Sequence, residues 1–454
     1  MILAVDQGTT GTTCLALDED DLAVVGRGYR ELTQHFPRPG WVEHDAVEIW
    51  ETVVAAARAA GGAPDVVAIT NQRETTILWD RATGKPVAPA IVWQDRRTAE
   101  RTRELDRELI RTKTGLVPDP YFSATKLEWL LREHGHRDGL AFGTVDSWLV
   151  WQLTRGERHV IDVTNASRTL LVDLATLDWD AELLDLFGIP RDVLPEIVSS
   201  TATVGEGELD GRVVEIRGIA GDQQAALYGQ GCHTAGEGKA TYGTGTFVLV
   251  HTGDDATPPP DGLLKTAAAD GYALEGAVLA SGAAVQWLRD GLGVVERAED
   301  TEALARSVDD TGGVHFVPAL TGLGSPWWDP DARGLVTGIT RGTTRAHLVR
   351  AALEAIAHQV VDVVEALPRP PRVFRADGGA SANAFLMQFQ ADLLGIPVEV
   401  AAERETTALG AGALAAGLRS GVAVGAVYEP GRSRDEVEAL RAAWRHALDL
   451  TVSS

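Results

Sequence analysis

The feature that most restricts this chain is a carboxylate delivered by the first strand to a glycine–threonine turn. The chain opens MILAVDQGTTGTTCLALDED, an apolar run to Val5, then Asp6, then Gly8, Thr9, Thr10 and Gly11, then a second apolar stretch from Cys14 to Leu17. A similar turn recurs in KATYGTGTFVLVHTG, Lys239 to Gly253. Glycines let backbone N–H groups approach a ligand closely, because no side chain protrudes there. Threonine hydroxyls add donors, which suits phosphate oxygens, and a neighbouring carboxylate suits a magnesium ion held through water. Taken singly, each turn fits an ordinary hairpin equally well. Neither is a P-loop, since GEGKAT (236–241) has the wrong spacing before Lys239, and no Rossmann pattern follows the first strand.

The pattern of elements predicts a mixed α/β protein. Short apolar or alternating runs at 2–5, 14–17 and 22–32 read as hairpin strands, with the acidic DEDD (18–21) at a turn. DAVEIWETVVAAARAAGG reads as a helix with Asp45 and Glu48 as a capping box, a stripe of Val47, Trp50, Val54 and Ala57, and a stop at Gly61. DVVAIT (65–70) follows as a buried strand. The later chain repeats this sense: strands in TFVLVHTG, YALEGAV, GVHFVPAL and RVFRADGG, a long helix over 346–367, and a helix capped at Ser381 and ended by Gly395. DDATPPPDG (254–262) is an exposed loop, and a last helix covers 434–448. A boundary near Gly231 then gives two related domains, 1–231 and 232–454, with one turn each facing a shared cleft. At 454 residues the chain is too long for a single core.

Composition narrows the partners. A formal net charge of −24 repels nucleic acid and anionic membrane, so neither is expected to bind. No basic segment precedes the first apolar run, and TALGAGALAAGLRSGVAVGAV (407–427) is interrupted by Arg419 and Ser420, so it reads as a small-residue helix plus a loop. Cys14 and Cys232 are too few and too separated for a disulfide framework or a zinc site. These features predict a cytoplasmic protein.

Two further segments sharpen the picture. GIAGDQQAALYGQ (218–230) sets Asp222 and Gln223 behind an apolar strand and a glycine, and DGGASAN (377–383) places two glycines before a helix start, where a nucleotide can lie close to backbone. With GWVEHD (40–45), ITNQRETT (69–76), AIVWQDRRTAE (90–100), DPYFS (119–123), TNASRT (164–169), TYGTGTF (241–247), QWLRD (286–290) and TGLGSPWWDP (321–330), they cover almost the whole chain. In these motifs the chain resembles the FGGY carbohydrate kinases, and among them the members that phosphorylate glycerol.

The resemblance implies two actin-like, ribonuclease H-like α/β ATPase domains with a central cleft. It implies ATP and Mg²⁺ as cofactors and transfer of phosphate from ATP to glycerol, giving sn-glycerol 3-phosphate. Asp6, Gly8 and Thr10 match the family's first phosphate motif, Gly221 and Asp222 the second, and Gly378 with Gly379 the adenosine motif. Carried over residue by residue, Arg73 and Glu74 meet the terminal hydroxyls of glycerol, Tyr121 and Gln223 complete the polar set, and Trp93 and Phe247 form apolar walls. Thr9, Thr10 and Thr244 lie near the phosphates, Gly282, Gln286, Gly379 and Asn383 around the nucleotide, and Asp6 at the magnesium. Asp222 is the expected general base, because the attacking hydroxyl must be aligned and its proton accepted. Arg73 and Glu74 also fit a surface ion pair, and Trp93 a plain core position. Family members are often dimers or tetramers, so the resemblance points to a homodimer or homotetramer.

Three departures stand out. The family carries an arginine three residues after the second threonine of the first motif, where this chain has Thr13. Losing such a charged hydrogen bond to phosphate is expected to cost about 10- to 150-fold in kcat/KM for ATP unless another cation substitutes. GEGELDGRVVEI (205–216) reads as a loop shorter than in relatives inhibited by fructose 1,6-bisphosphate, and the end of the chain reads as shortened, which puts both family regulatory sites in doubt. A kinase for another small polyol or triose (dihydroxyacetone, glyceraldehyde or erythritol) is the alternative within the class. An ATP-binding regulatory or scaffolding protein on the same fold is the alternative outside it.

Overall fold

The computed structural model describes residues 1–419 and 421–452. Two mixed sheets organise it. The first contains Ile2–Gln7 (β1), Gly11–Leu17 (β2), Val24–Glu31 (β3), Val66–Asn71 (β4), Thr203–Leu209 (β5) and Arg212–Gly221 (β6), in the order β5-β6-β4-β1-β2-β3. The second contains Glu237–Tyr242 (β7), Thr246–Gly253 (β8), Leu264–Ala268 (β9), Gly271–Val278 (β10), Val373–Asp377 (β11), Val398–Ala401 (β12) and Val424–Tyr428 (β13), in the order β9-β10-β8-β7-β11-β12-β13.

The two sheets repeat one plan. In each, a hairpin pairs antiparallel (β1 with β2, β7 with β8), and its first strand then pairs parallel with a later strand (β4, β11). That later strand pairs parallel with another (β6, β12), which carries an antiparallel edge strand (β5, β13). On the other side β3 and β10 each pair antiparallel with the outer hairpin strand. A parallel pair needs a crossover, and the apolar β1 and β4, covered on both faces, show why these strands read as continuous hydrophobic runs.

Helices pack where glycine permits. Helix Ala46–Ala60 (α1) starts at Asp45, whose side chain accepts from the Val47 amide. Its buried face is Ala46, Ile49, Val53, Ala56 and Ala60, one position away from the expected stripe, and Val47 is 45% exposed. The reason lies in β3: a Cβ on Gly26 or Gly28 would stand 2.0 Å from the carbonyl oxygen of Ala60 or Ala56, so the helix seats its alanines onto a glycine groove. Glu48 does not complete a capping box; its carboxylate accepts from the amide and hydroxyl of Thr33. The strand after the second-half loop is also shorter than expected: in GVHFVPAL only His315–Val317 is strand, paired with Leu335–Thr337 outside the main sheet.

The helices Asp222–Gly229 (α2), Arg345–Ala366 (α3), Ala384–Leu394 (α4) and Thr406–Ala416 (α5) complete the frame. The N-cap of α4 is Asn383, not Ser381; the Asn383 carboxamide oxygen accepts from the Leu386 amide, while Ser381 lies in the preceding 3-10 turn. Helices α2 and α5 follow the equivalent strands β6 and β12 and meet at the centre. A Cβ on Gly410 would lie 1.9 Å from the Ala225 carbonyl oxygen, and one on Gly229 would lie 2.4 Å from that of Thr406. Only glycine allows that approach. Two expected loops are strands instead: 205–216 forms the β5–β6 hairpin, and the stretch after α5 contains the edge strand β13, with Ser420 outside the described residues. In both cases alternating small and branched residues pair with an edge that would otherwise be open.

Candidate active site

The two glycine–threonine turns converge. Thr9 from the first and Gly243, Thr244 and Gly245 from the second line one cavity of about 150 Å³, together with Arg73, Glu74, Trp93, Tyr121, Asp222, Gln223 and Phe247. All seven side chains expected to hold a small polyol therefore meet at one point, drawn from both halves of the chain.

The polar floor is a buried network. Arg73 donates through both terminal nitrogens to Glu275, at 2.7 and 2.9 Å, a bidentate contact across the two halves. Its Nε lies 3.3 Å from Asp222 Oδ1, and Nη2 donates to the Tyr121 hydroxyl at 3.4 Å. Arg168 donates from Nε to Glu74 at 2.6 Å, and its Nη2 stands 3.1 Å from Glu275. Arg73, Arg168, Glu74 and Glu275 are all buried, so two guanidiniums and two carboxylates offset one another away from water. Burial alone would raise the Glu275 pKa, but Arg168 and Arg73 outweigh it and hold that carboxyl at about 2. For Glu74 burial wins over the same two arginines and its pKa rises. Glu74 also sits at φ +63°, in a left-handed conformation unusual outside glycine. Among these groups Asp222 keeps access to the cavity, its side chain 31% exposed at the first position of α2.

Gln223 is oriented from behind. Lys239, fully buried on β7, donates to Gln223 Oε1 at 2.5 Å and to Thr241 Oγ1 at 2.8 Å, which leaves the Gln223 NH₂ group to point elsewhere. Burial lowers the Lys239 pKa to about 8, against the opposing pull of Asp377 and Asp222. The walls are aromatic. Trp93 packs edge-on to Tyr121, with centroids 5.5 Å apart, and to Phe247 at 6.4 Å. Its indole Nε1 donates to Thr9 Oγ1 at 2.9 Å, tying wall to turn. Lys126 pins the segment that carries Tyr121, donating to the carbonyls of Pro120 and Tyr121 at 2.7 Å each.

A second cavity, of about 430 Å³, begins at the same turn. Tyr242, Gly243 and Thr244 line it on one side, and Gly282, Gln286, Gly379 and Asn383 beyond. Its long reach past two glycines suits a flat base and ribose better than a polyol. Two arginines also line it: Arg289, paired with Asp290, and Arg404, whose guanidinium makes no ion pair among the described residues. Asp6, Gly8 and Thr10 line neither cavity; they stand at the first turn beside them. Gly8 donates its amide to the Gly11 carbonyl, and the Thr10 carbonyl accepts from Leu32. Among the described residues the Asp6 carboxylate makes no hydrogen bond. Burial first, then the charges of Asp222 and Glu405, push its pKa well above the usual carboxylate range.

Arg168, Glu275, Lys239 and Arg404 carry no role in the sequence reading. Three had a visible signal. A lone glutamate in YALEGAV, a lone lysine in GKATY and an arginine in TNASRT each interrupt runs that are otherwise apolar or small, and a buried charge needs a partner. Arg404, in the charged AERE, had none.

Comparison with known proteins identifies the family. The N-terminal domain of the FGGY family of carbohydrate kinases matches residues 1–229, and its C-terminal domain matches residues 238–418. A protein named glycerol kinase from Polaromonas sp. strain JS666 is 51% identical over 494 aligned positions, covering 99% of each chain. That alignment is longer than the 454 residues here, so the shortening relative to this relative falls inside the matched span and not at the end of the chain alone. Glycerol kinase 2 of Thermotoga maritima is 49% identical, with 98% of each chain covered. Among solved structures, Plasmodium falciparum glycerol kinase with ADP superposes with a TM-score of 0.90 at 33% identity, over 100% of this chain and 98% of that one. A gluconate kinase from Lactobacillus acidophilus, 22% identical with a TM-score of 0.87, shares the fold over 99% of this chain and 97% of its own. With both halves matched, the chain belongs to the FGGY family of carbohydrate kinases.

Proposed function

We propose that this kinase transfers the γ-phosphoryl group of ATP to a terminal hydroxyl of glycerol, giving sn-glycerol 3-phosphate. One observation carries the reading: a polar cavity of about 150 Å³ and a longer one of about 430 Å³ meet at Gly243 and Thr244. The smaller lies below the roughly 300–1,000 Å³ usual for drug-sized ligands, which favours a short polyol over a sugar. Relatives named glycerol kinase, at about half identity over nearly the full length, support the same substrate.

In this reading glycerol lies with its carbon edge on Trp93 and Phe247 and its hydroxyls toward Arg73, Glu74, Tyr121 and Gln223. Asp222 accepts the proton of the attacking hydroxyl. The oxygen–phosphorus bond forms as the bond from the γ-phosphorus to the bridging oxygen breaks, with ADP leaving. Arg73, 3.3 Å from Asp222, orients that carboxylate. Such catalysis is mainly alignment and electrostatics. Gly8, Thr9, Thr10 and Thr244 offer donors to the phosphates, and Gly282, Gln286, Gly379 and Asn383 receive the nucleoside. Arg404, unpaired among the described residues at the wall of the longer cavity and one residue from Glu405, supplies the phosphate-facing cation that Thr13 does not.

The residues at the first turn fit a magnesium ion. Among the described residues Asp6 lacks an internal donor, and it faces the charges of Asp222 and Glu405, a site that a cation would relieve. Among the described residues no three metal-binding side chains gather into a complete site, which suits an ion that takes most ligands from water and phosphate. When bound, magnesium would neutralise charge on the phosphates; Asp6 would hold it. The boundary between the two halves falls near Gly231 in this reading, giving domains 1–231 and 232–454. Among the described residues no helix is long and apolar enough to cross a membrane.

The test is ADP release coupled to a reporter, with glycerol, dihydroxyacetone, glyceraldehyde and erythritol compared at saturating MgATP. Glycerol should have the highest kcat/KM. A higher value for a triose would move the substrate assignment, and no ATP turnover with any of them would favour the regulatory alternative.

A further inference from the structure

An acidic chain rarely leaves several arginines unpaired around one hollow, and here it does. A cavity of about 640 Å³ opens between the first half (96–120) and the second (320–333). Arg96, Arg103, Arg107 and Arg333 line it. Arg96 is spent on Asp119, its Nη1 donating at 2.8 Å. Among the described residues Arg333 donates to the carbonyl oxygens of Pro330 and Ala332 and to no carboxylate. Among the described residues Arg103 and Arg107 make no ion pair, because the acids nearest to them in the chain are engaged elsewhere. Glu104 pairs with Arg101, Glu108 with Arg111, and Asp106 caps the helix Arg107–Thr114. The remaining carboxylate on the cavity wall is Asp331. Among the described residues, three guanidiniums without an ion pair face one carboxylate without one, which makes this a positive hollow in a protein of net charge −24.

The hollow is continuous with the substrate route. A further cavity of about 400 Å³ shares Arg96, Asp119, Trp328 and Pro330 with it and runs on to Trp93, Tyr121 and Phe247. Trp328 is fixed by its indole N–H, which donates to the Gly262 carbonyl at 2.9 Å. The wall therefore offers a rigid apolar face beside planar guanidinium donors.

We propose that this hollow binds a small phosphate monoester, its dianion held between Arg103 and Arg107 of one half and Arg333 of the other. Guanidinium groups match phosphate oxygens in bidentate geometry, which an isolated surface arginine cannot exploit alone. The carbon chain of the ester lies against Trp328. Because the donors come from both halves, occupancy ties the halves together at the outer mouth of the cleft. The site is distinct from the phosphate-binding turns, none of whose residues line it.

The experiment uses the full chain with the catalytic cleft filled by glycerol, magnesium and a non-hydrolysable ATP analogue, titrated by calorimetry with inorganic phosphate and with sn-glycerol 3-phosphate. We expect one equivalent to bind with a Kd near or below about 1 mM. Arg107→Ala and Arg333→Ala, both at exposed positions, should each weaken it by about tenfold or more. Arg434→Ala, which removes the same charge from a distant helix, should leave it unchanged. Tighter binding of the ester assigns the site to a phosphorylated polyol, and equal binding assigns it to the phosphate group alone; either supports the site. Absence of binding up to about 10 mM overturns the proposal, as does equal weakening in all three variants, which would mean only diffuse electrostatic attraction.

Discussion

The two glycine–threonine hairpins hold equivalent places in their sheets, yet they treat their carboxylates in opposite ways. In the first, Asp6 on the hairpin strand is paired across the parallel ladder with Thr70. In the second the types are exchanged: Thr241 is on the hairpin strand and Asp377 on its parallel neighbour. Asp377 accepts from the Thr406 hydroxyl through Oδ2 and faces the Lys239 cation, while its buried Oδ1 has no hydrogen-bond partner among the described residues. Among the described residues Asp6 has no internal donor, and it faces two further carboxylates. One scaffold thus carries a carboxylate that the protein gives a donor and a counter-cation and one that it gives neither. The lesson is that duplication conserves the backbone cradle, while chemistry is assigned by which strand bears the charge.

The largest expected effect tests whether first-half carboxylates do the chemistry. Asp222→Asn should keep glycerol and ATP affinities within a few-fold but reduce turnover about 10²–10⁴-fold, as expected for a lost general base. Single-turnover kinetics would show it, and turnover above roughly a tenth of wild type would remove Asp222 from that role.

The comparison itself is broken or sharpened by a pair. Asp6→Asn should lower kcat/KM for MgATP by about 10- to 150-fold while leaving the melting temperature equal or higher, since like charges lose a neighbour. Asp377→Asn should do the reverse, costing roughly 3–5 kcal/mol because buried Lys239 loses its counter-charge, with turnover of the folded protein little changed. Matched losses of stability in both variants would show that the two carboxylates are equivalent after all.

Glu275 extends the contrast to pH. Its carboxyl is held at about 2, below the unfolded value near 4.3, so its contribution is complete above the unfolded pKa and disappears as pH falls through the folded one. Glu275→Gln should cost roughly 3–5 kcal/mol at pH 7, by leaving Arg73 and Arg168 undercompensated. That difference should shrink steadily between about pH 5 and pH 2 in urea-unfolding midpoints. A difference that stays constant with pH would mean the glutamate packs there without ionic work.

Much of this was legible in the chain itself, for physical reasons. Strands β1 and β4 are continuous apolar runs bounded by turn residues, and such runs admit few alternatives. The seven cavity residues were found through family motifs, not through patterning: nothing in the spacing of Arg73, Trp93 and Phe247 alone brings them within one small cavity. The α1 face was misread by one position because the deciding surface, the groove at Gly26 and Gly28, lies on another strand. Glu275 and Arg168 were missed for the same reason. Each is an ion whose partner sits about a hundred or more residues away, so its burial becomes explicable only after the halves meet.

The smallest expected effect concerns Thr13, and the structure changes what the sequence led us to expect there. Thr13 lies directly across the antiparallel ladder from Asp6, half-buried. Opposed residues share a face of the sheet, so an arginine at 13 would meet the Asp6 carboxylate before any phosphate. On the far side of the cleft, Arg404, unpaired among the described residues, already stands at the wall of the longer cavity. Thr13→Arg in the native background should therefore change kcat/KM for ATP by less than about threefold, well short of the 10- to 150-fold that an uncompensated phosphate contact would give. Arg404→Ala should raise KM for ATP about tenfold, with glycerol KM unmoved. Adding Thr13→Arg to Arg404→Ala should then recover several-fold of that loss, a coupling that a double-mutant cycle measures directly. A full gain from Thr13→Arg alone would show that Arg404 leaves the phosphates untouched and that the first hairpin works without its cation.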